Sequence, residues 1–136
     1  MAGYSGTPLA KKLGIAAGCR VAVVSSPNGF CERLELPAGV VLRRQARGWL
    51  DVVVFFVTRR AELARRFPTL QRRLEPDGGL WIAWPKRTSG VATDLSENPV
   101  REIGLANGLV DNKVAAIDEI WSGLRFVWRV RDRPQH

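Results

Sequence analysis

Leu50-Asp51-Val52-Val53-Val54-Phe55-Phe56-Val57 is the stretch on which the fold turns. It is apolar apart from Asp51, dense in β-branched and aromatic side chains, and shows no period-two alternation. Such a run reads as a strand buried on both faces, as parallel sheets require. Just beyond it, Thr58 offers a hydroxyl to cap a helix. From Ala61 to Leu74, apolar residues then recur at helical spacing: Leu63, Phe67, Leu70 and Leu74. Glu75-Pro76-Asp77-Gly78-Gly79 is expected to stop that helix and turn the chain. Leu80-Trp81-Ile82-Ala83-Trp84 is expected to form a second buried strand. Strand, helix and strand over this length make a right-handed βαβ unit.

Upstream, Thr7 at N-cap and Pro8 at the first helical position predict a short helix through Leu9, Ala10 and Leu13, ended by Gly14. Cys19 to Val24 reads as a first core strand, followed by the loop Ser25-Ser26-Pro27-Asn28-Gly29 and a brief amphipathic turn from Phe30 to Leu34. Val40 to Arg44 is a shorter strand nearer an edge. Downstream, Ser96 is placed to cap a helix with Val100, Ile103 and Ala106 on its inner face, ended by Asn107-Gly108. Leu109 to Ile117 and Leu124 to Val130 then pair as an antiparallel hairpin with a wide connection, Asp118 to Gly123. Residues 1–130 form a single domain and 131–136 a polar tail.

The chain has 136 residues, enough for one continuous core but not two. No run is long and uncharged enough to span a bilayer, and Met1 to Gly6 lacks the basic and apolar segments of a signal peptide. The expected location is therefore the cytoplasm, with Cys19 and Cys31 as reduced thiols outside any CxxC pair. Twenty-one basic against 13 acidic residues give a net charge of +8. Such a charge attracts nucleic acid, anionic metabolites or acidic protein surfaces. Much of it falls between Arg59 and Arg73, and there the arginines project away from the Leu63/Phe67/Leu70/Leu74 stripe. A solvated outer face explains that pattern better than a phosphate-tracking surface. The only histidine is His136, which disfavours His-based triads, His acid–base chemistry and His-ligated metals. There is no P-loop or GxGxxG signature, and neither a metal nor a cofactor is assigned.

In a parallel sheet, ligands sit beyond the carboxyl ends of the strands. Three loops are thereby predicted to converge on one rim: Ser25-Ser26-Pro27-Asn28-Gly29, Thr58-Arg59-Arg60 and Pro85-Lys86-Arg87-Thr88-Ser89-Gly90. Ser25, Ser26, Asn28, Thr58, Arg59, Lys86, Thr88 and Ser89 supply the hydroxyls, amides and cations that an anion needs. Each loop alone is also accounted for by solvation and helix capping. Asp111, Asp118 and Glu119 form a second polar concentration. Asp118 and Glu119 fall at the far end of the hairpin from Asp111, however, and turn chemistry suffices for them.

The element order resembles a compressed methyltransferase-type Rossmann fold. Asp51 to Phe56 and Leu74 to Ile82 are similar to the fourth and fifth strands of that class, and Val114 to Val130 to its last two. The resemblance implies a single Rossmann-like three-layer α/β domain. Its sheet would be mostly parallel, of about six strands, with a C-terminal antiparallel hairpin. Val24-Ser25-Ser26-Pro27-Asn28-Gly29 stands where the glycine-rich cofactor loop would be. Arg43-Arg44 stands near where an acid that binds ribose would end the second strand. The chain also resembles the bacterial family known as domain of unknown function 3052. The matching segments are Tyr4 to Ile15, Trp84 to Val91, Gly108 to Lys113 and Trp121 to Arg125. That family implies no activity and no catalytic residues.

Three readings follow, in order of preference. The first is a non-catalytic binding or accessory module on a degenerate methyltransferase-like fold, with an anionic small molecule or a protein as partner. The second is a small enzyme acting on an anionic substrate, with Lys86, Ser89 and Ser26 lining its pocket. The third is nucleic-acid binding through the Arg59–Arg73 helix.

Overall fold

The computed structural model describes residues 8–135, so Thr7 and the segment before it, and His136, lie outside the described residues. The strands are β1 (Arg20–Val24), β2 (Val41–Arg43), β3 (Leu50–Phe56), β4 (Leu74–Pro85), β5 (Leu109–Ala116) and β6 (Trp121–Trp128). The helices are α1 (Leu9–Lys12), α2 (Phe30–Arg33), α3 (Arg60–Gln71) and α4 (Glu97–Ala106). One six-stranded sheet has the order β2-β1-β3-β4-β6-β5. The first four strands in that order run parallel, and β6 is antiparallel to both of its neighbours. The predicted three-layer α/β architecture with a closing antiparallel hairpin is therefore what the chain adopts.

The apolar run that announced β3 is buried on both faces, and the sheet divides the core in two. On one side Val53 and Phe55 pack with Leu63, Phe67 and Leu70 of α3 and Val100 and Ile103 of α4. On the other, Val52, Val54 and Phe56 pack with Ala10 and Leu13 of α1 and Phe30 of α2. Burying each such side chain stabilises the fold by about 1.5–3 kcal/mol, the largest favourable contribution a domain of this kind has. At one end of the sheet, Phe56 makes edge-on ring contacts with Phe30 (4.7 Å between centroids) and Trp121 (5.0 Å).

Several boundaries differ from expectation, each for a tertiary reason. α3 ends at Gln71, and Leu74, which continues the helical spacing, instead opens β4 opposite Leu50. Glu75 to Gly79 are strand and not turn, with a register shift where β4 meets Leu50 and Val52. Gly78 is needed there because a Cβ would lie 3.0 Å from the Leu50 carbonyl oxygen. The last hairpin is tighter than predicted. β6 begins at Trp121 and ends at Trp128, before the predicted Val130, and Ile117 N and Asp118 N both donate to the Trp121 carbonyl. Val130–Asp132 form a single 3-10 turn. Ala106 is exposed, and Gly104 takes its place on the inner face of α4. α1 has Pro8 at its N-cap, so the helix begins one residue later than predicted, and it ends as predicted on Gly14 at φ +84°.

Thr58 does not cap α3. Arg59 holds the N-cap position and makes no side-chain cap bond; the first-turn amide of Arg60 donates to Asp94 Oδ1 at 2.7 Å. Asp94 comes from the loop between β4 and α4, 34 residues along the chain, a contact that local pattern cannot reveal. Asp94→Ala is expected to cost about 1 kcal/mol of unfolding free energy in urea titrations. Thr58→Ala is expected to stay within about 0.5 kcal/mol of wild type.

Candidate functional site

Because β1, β3 and β4 run parallel with Val24 beside Phe55 and Phe55 beside Ile82, the loops that follow them leave the same edge of the sheet. Ser26, Thr58 and Lys86 therefore share one rim, as the sequence predicted. Their roles within the rim differ.

Ser25 is the only non-glycine residue among those described with positive φ, at +58°. This left-handed conformation costs an L-residue about 1 kcal/mol or more, and it occurs immediately after a buried strand, where strained residues tend to serve function. Ser25→Gly is accordingly expected to leave the protein as stable as wild type or up to about 1 kcal/mol more stable, read from thermal melts. The Ser26 hydroxyl lies 3.9 Å from Cys31 Sγ. The loop closes through Phe30 N donating to the Pro27 carbonyl at 3.1 Å, and α2 beyond it is a single turn.

Around β3 and β4 the polar groups mostly serve the loops themselves. The Thr58 carbonyl accepts bonds from Thr93 Oγ1 (2.6 Å) and Asp94 N (3.4 Å). Lys86 N donates to Ile120 O at 2.7 Å, joining this loop to the hairpin. Ser89 Oγ donates to the Lys86 carbonyl at 2.7 Å and accepts from Val91 N at 3.1 Å, so its hydroxyl closes the 3-10 turn Arg87–Ser89. Asn28, Arg59 and Thr88 are exposed, and Lys86 is half-buried. Arg59, Lys86 and the exposed Arg87 are cations on this rim.

Asp111 and Asp118 of the second concentration have structural tasks, and Glu119 is exposed in the turn. Asp118 Oδ1 accepts bonds from Ile120 N and Trp121 N, both at 2.8 Å, and so shapes the hairpin turn. Asp111 Oδ2 accepts from Arg101 Nε at 3.0 Å, while Arg101 Nη2 reaches Glu97 at 2.6 Å. The bonds to Glu97 and then Asp111 hold the Arg101 pKa above its ordinary value. Asp111 and Asp118 stand toward opposite ends of the β5–β6 hairpin, and among the described residues no three His, Cys, Asp or Glu side chains group as a metal site.

The arginine-rich helix is shorter than its sequence suggested. Only Arg60, Arg65 and Arg66 lie within α3, with Arg59, Arg72 and Arg73 flanking it. Arg60 pairs with Glu102 at 3.3 Å and Arg66 with Glu62 at 3.9 Å; the Arg66 guanidinium also sits 4.9 Å from the Phe55 ring centroid. A further arginine went unnoticed in the sequence. Arg125 lies over Gly79, where any Cβ would collide with its guanidinium. Burial pushes its pKa below the ordinary value, opposed by the charge of Asp77. Its only sequence signal was a glycine within a strand.

A mostly parallel sheet with an inserted antiparallel strand and helices on both faces is a Rossmann-like fold of the methyltransferase type. Among solved structures, the chain is similar to a SAM-dependent methyltransferase from Aquifex aeolicus, with 19 % identity, 85 % of each chain covered and a TM-score of 0.59. It is also similar to ribosomal protein L11 methylase from Lactobacillus delbrueckii subsp. bulgaricus, with 12 % identity, 89 % of this chain and 75 % of that one covered, and a TM-score of 0.59. Magnesium protoporphyrin IX methyltransferase from Synechocystis PCC 6803, solved with bound SAM, matches at 12 % identity over 89 % of this chain and 74 % of that one, with a TM-score of 0.58. No protein-family model matches the chain, and no curated protein matches it in sequence. At these identities the likeness establishes the fold alone.

Proposed function

We propose that this protein is a non-catalytic binding or accessory module, a methyltransferase-like scaffold that has given up its methyl donor. The observation that carries the reading is the chemistry at the carboxyl ends of β1 and β2. Ser25 to Gly29 and a one-turn helix stand where a glycine-rich loop and a longer helix would admit the donor's charged end. Arg43 and Arg44 stand where an acid would accept the ribose hydroxyls, and a guanidinium has no acceptor to offer them. The internal engagement of Ser89 removes one of the groups a small enzyme would need at the rim. What remains there, Arg59, Lys86 and Arg87 on the same rim as the strained Ser25, suits an anionic small molecule or an acidic protein segment. Kinship with the domain of unknown function 3052 family belongs to the same proposal and adds no activity to it.

Isothermal titration with S-adenosylmethionine tests the reading. No saturable heat is expected at ligand concentrations up to about 1 mM, whereas a dissociation constant in the low micromolar range would overturn it.

A further inference from the structure

A depression of about 350 Å³ is lined by Arg43, Arg44, Gln45 and Arg47. It arises from the way β2 ends. Arg43 is level with Ala22 on β1, while Val21 is level with Val52 on β3, so the chain must travel back only a short way before β3 begins. Residues 44–49 make that journey with no helix, far fewer than the dozen or so that a parallel crossover ordinarily uses. They cross on the face that carries α3 and α4, where Ala46 packs against the core. Arg43 shares the face of its strand neighbour Ala22, which belongs to the same core. Arg44, the next residue, instead meets Glu32 of α2 at 3.6 Å.

Three guanidinium groups are thus held within five residues on an exposed connection. Among the described residues, Arg44 has a carboxylate partner and neither Arg43 nor Arg47 has one. An anion seated between Arg43 and Arg47 would give both the counter-charge they lack. Each guanidinium presents a planar fork matched to phosphate oxygens, which a lysine could not replace. The volume suits a small molecule and falls far short of a macromolecular interface.

We infer that this basin binds a small ligand carrying linked phosphate groups, a nucleoside diphosphate or its like, through Arg43 and Arg47, beside the Arg44–Glu32 pair. The inference deepens the binding-module reading by naming a ligand class, and it rests on residues other than Ser26, Arg59 and Lys86.

Inorganic pyrophosphate is the probe, titrated calorimetrically into the whole chain at low and high salt. The wild type is expected to show saturable binding that weakens as salt rises. The double variant R43Q/R47Q is expected to bind about tenfold more weakly or worse, with an unchanged circular dichroism spectrum and melting temperature. The S26A/K86A variant is expected to bind like wild type. Absence of saturable binding, or R43Q/R47Q binding as wild type does, overturns the inference. So does loss of binding in S26A/K86A alone, which would put the anion among the loops after β1, β3 and β4 and leave the binding-module reading standing. Binding of a short DNA duplex without binding of pyrophosphate overturns it as well. Failure of the module reading itself is registered separately, by S-adenosylmethionine affinity.

Discussion

Trp81→Ala is expected to destabilise the protein by about 3–5 kcal/mol, enough to unfold much of the population of a domain this size at physiological temperature. Trp81 is fully buried in β4 between β3 and β6, and its indole Nε1 donates to the Leu13 carbonyl at 3.0 Å. That bond helps fasten the short α1 to the sheet, together with the packing of Ala10 and Leu13 and two bonds between Lys12 and β5. Four residues cannot hold a helix by propensity, so α1 depends on its tertiary partners. The alanine variant loses both the packing volume and the donor. Trp81→Phe separates the two effects. It keeps most of the volume and leaves the carbonyl without its partner, for an expected loss of about 1–3 kcal/mol. Denaturant titration gives the totals, and hydrogen exchange in Leu9–Lys12 shows whether α1 loosens before the sheet does.

Gly104→Val is expected to prevent cooperative folding, and Gly104→Ala to cost about 1–3 kcal/mol or more. α4 lies so close to β6 that a Cβ at position 104 would enter the space of the Phe126 ring. That ring cannot retreat, since it is fully buried and makes an edge-on contact with Phe67 of α3 at 5.4 Å. Glycine inside a helix is ordinarily a weakness of about 1 kcal/mol relative to alanine, so a stabilised G104A would show that helix and strand sit farther apart than described. Far-UV circular dichroism during urea unfolding reads both variants.

The two halves of this protein differ in how plainly residue order discloses them. β3 was legible because seven consecutive positions from Leu50 carry a pattern that suits only a strand covered on both faces. From that, the parallel neighbours and the shared rim of Ser26, Thr58 and Lys86 followed. Leu74 misled because its spacing from Leu70 is helical, while its partner, Leu50, is distant in sequence. Gly78-Gly79 misled likewise: the glycines serve close approach of the β3 backbone and the Arg125 side chain, and not a turn. Asp94 as the cap of α3 lay beyond any local rule. The arginine basin was hidden for a related reason. Arg43 and Arg44 read as misfits for a ribose, but their grouping with Arg47 around one depression depends on a three-residue strand and a connection that doubles back across β1. Charge identity is written in sequence; the shortness of a crossover is a property of the sheet.

The proposal that this scaffold has given up its methyl donor turns on the loop after β1. The measurement that bears on it most directly is an amide nitrogen–proton correlation spectrum of the labelled protein, recorded as S-adenosylmethionine is added to about 1 mM. The account predicts that the resonances of Ser25, Ser26, Asn28 and Gly29 stay in place. Saturable movement of those four signals would contradict it, because it would put the donor back in the position this loop is argued to have closed.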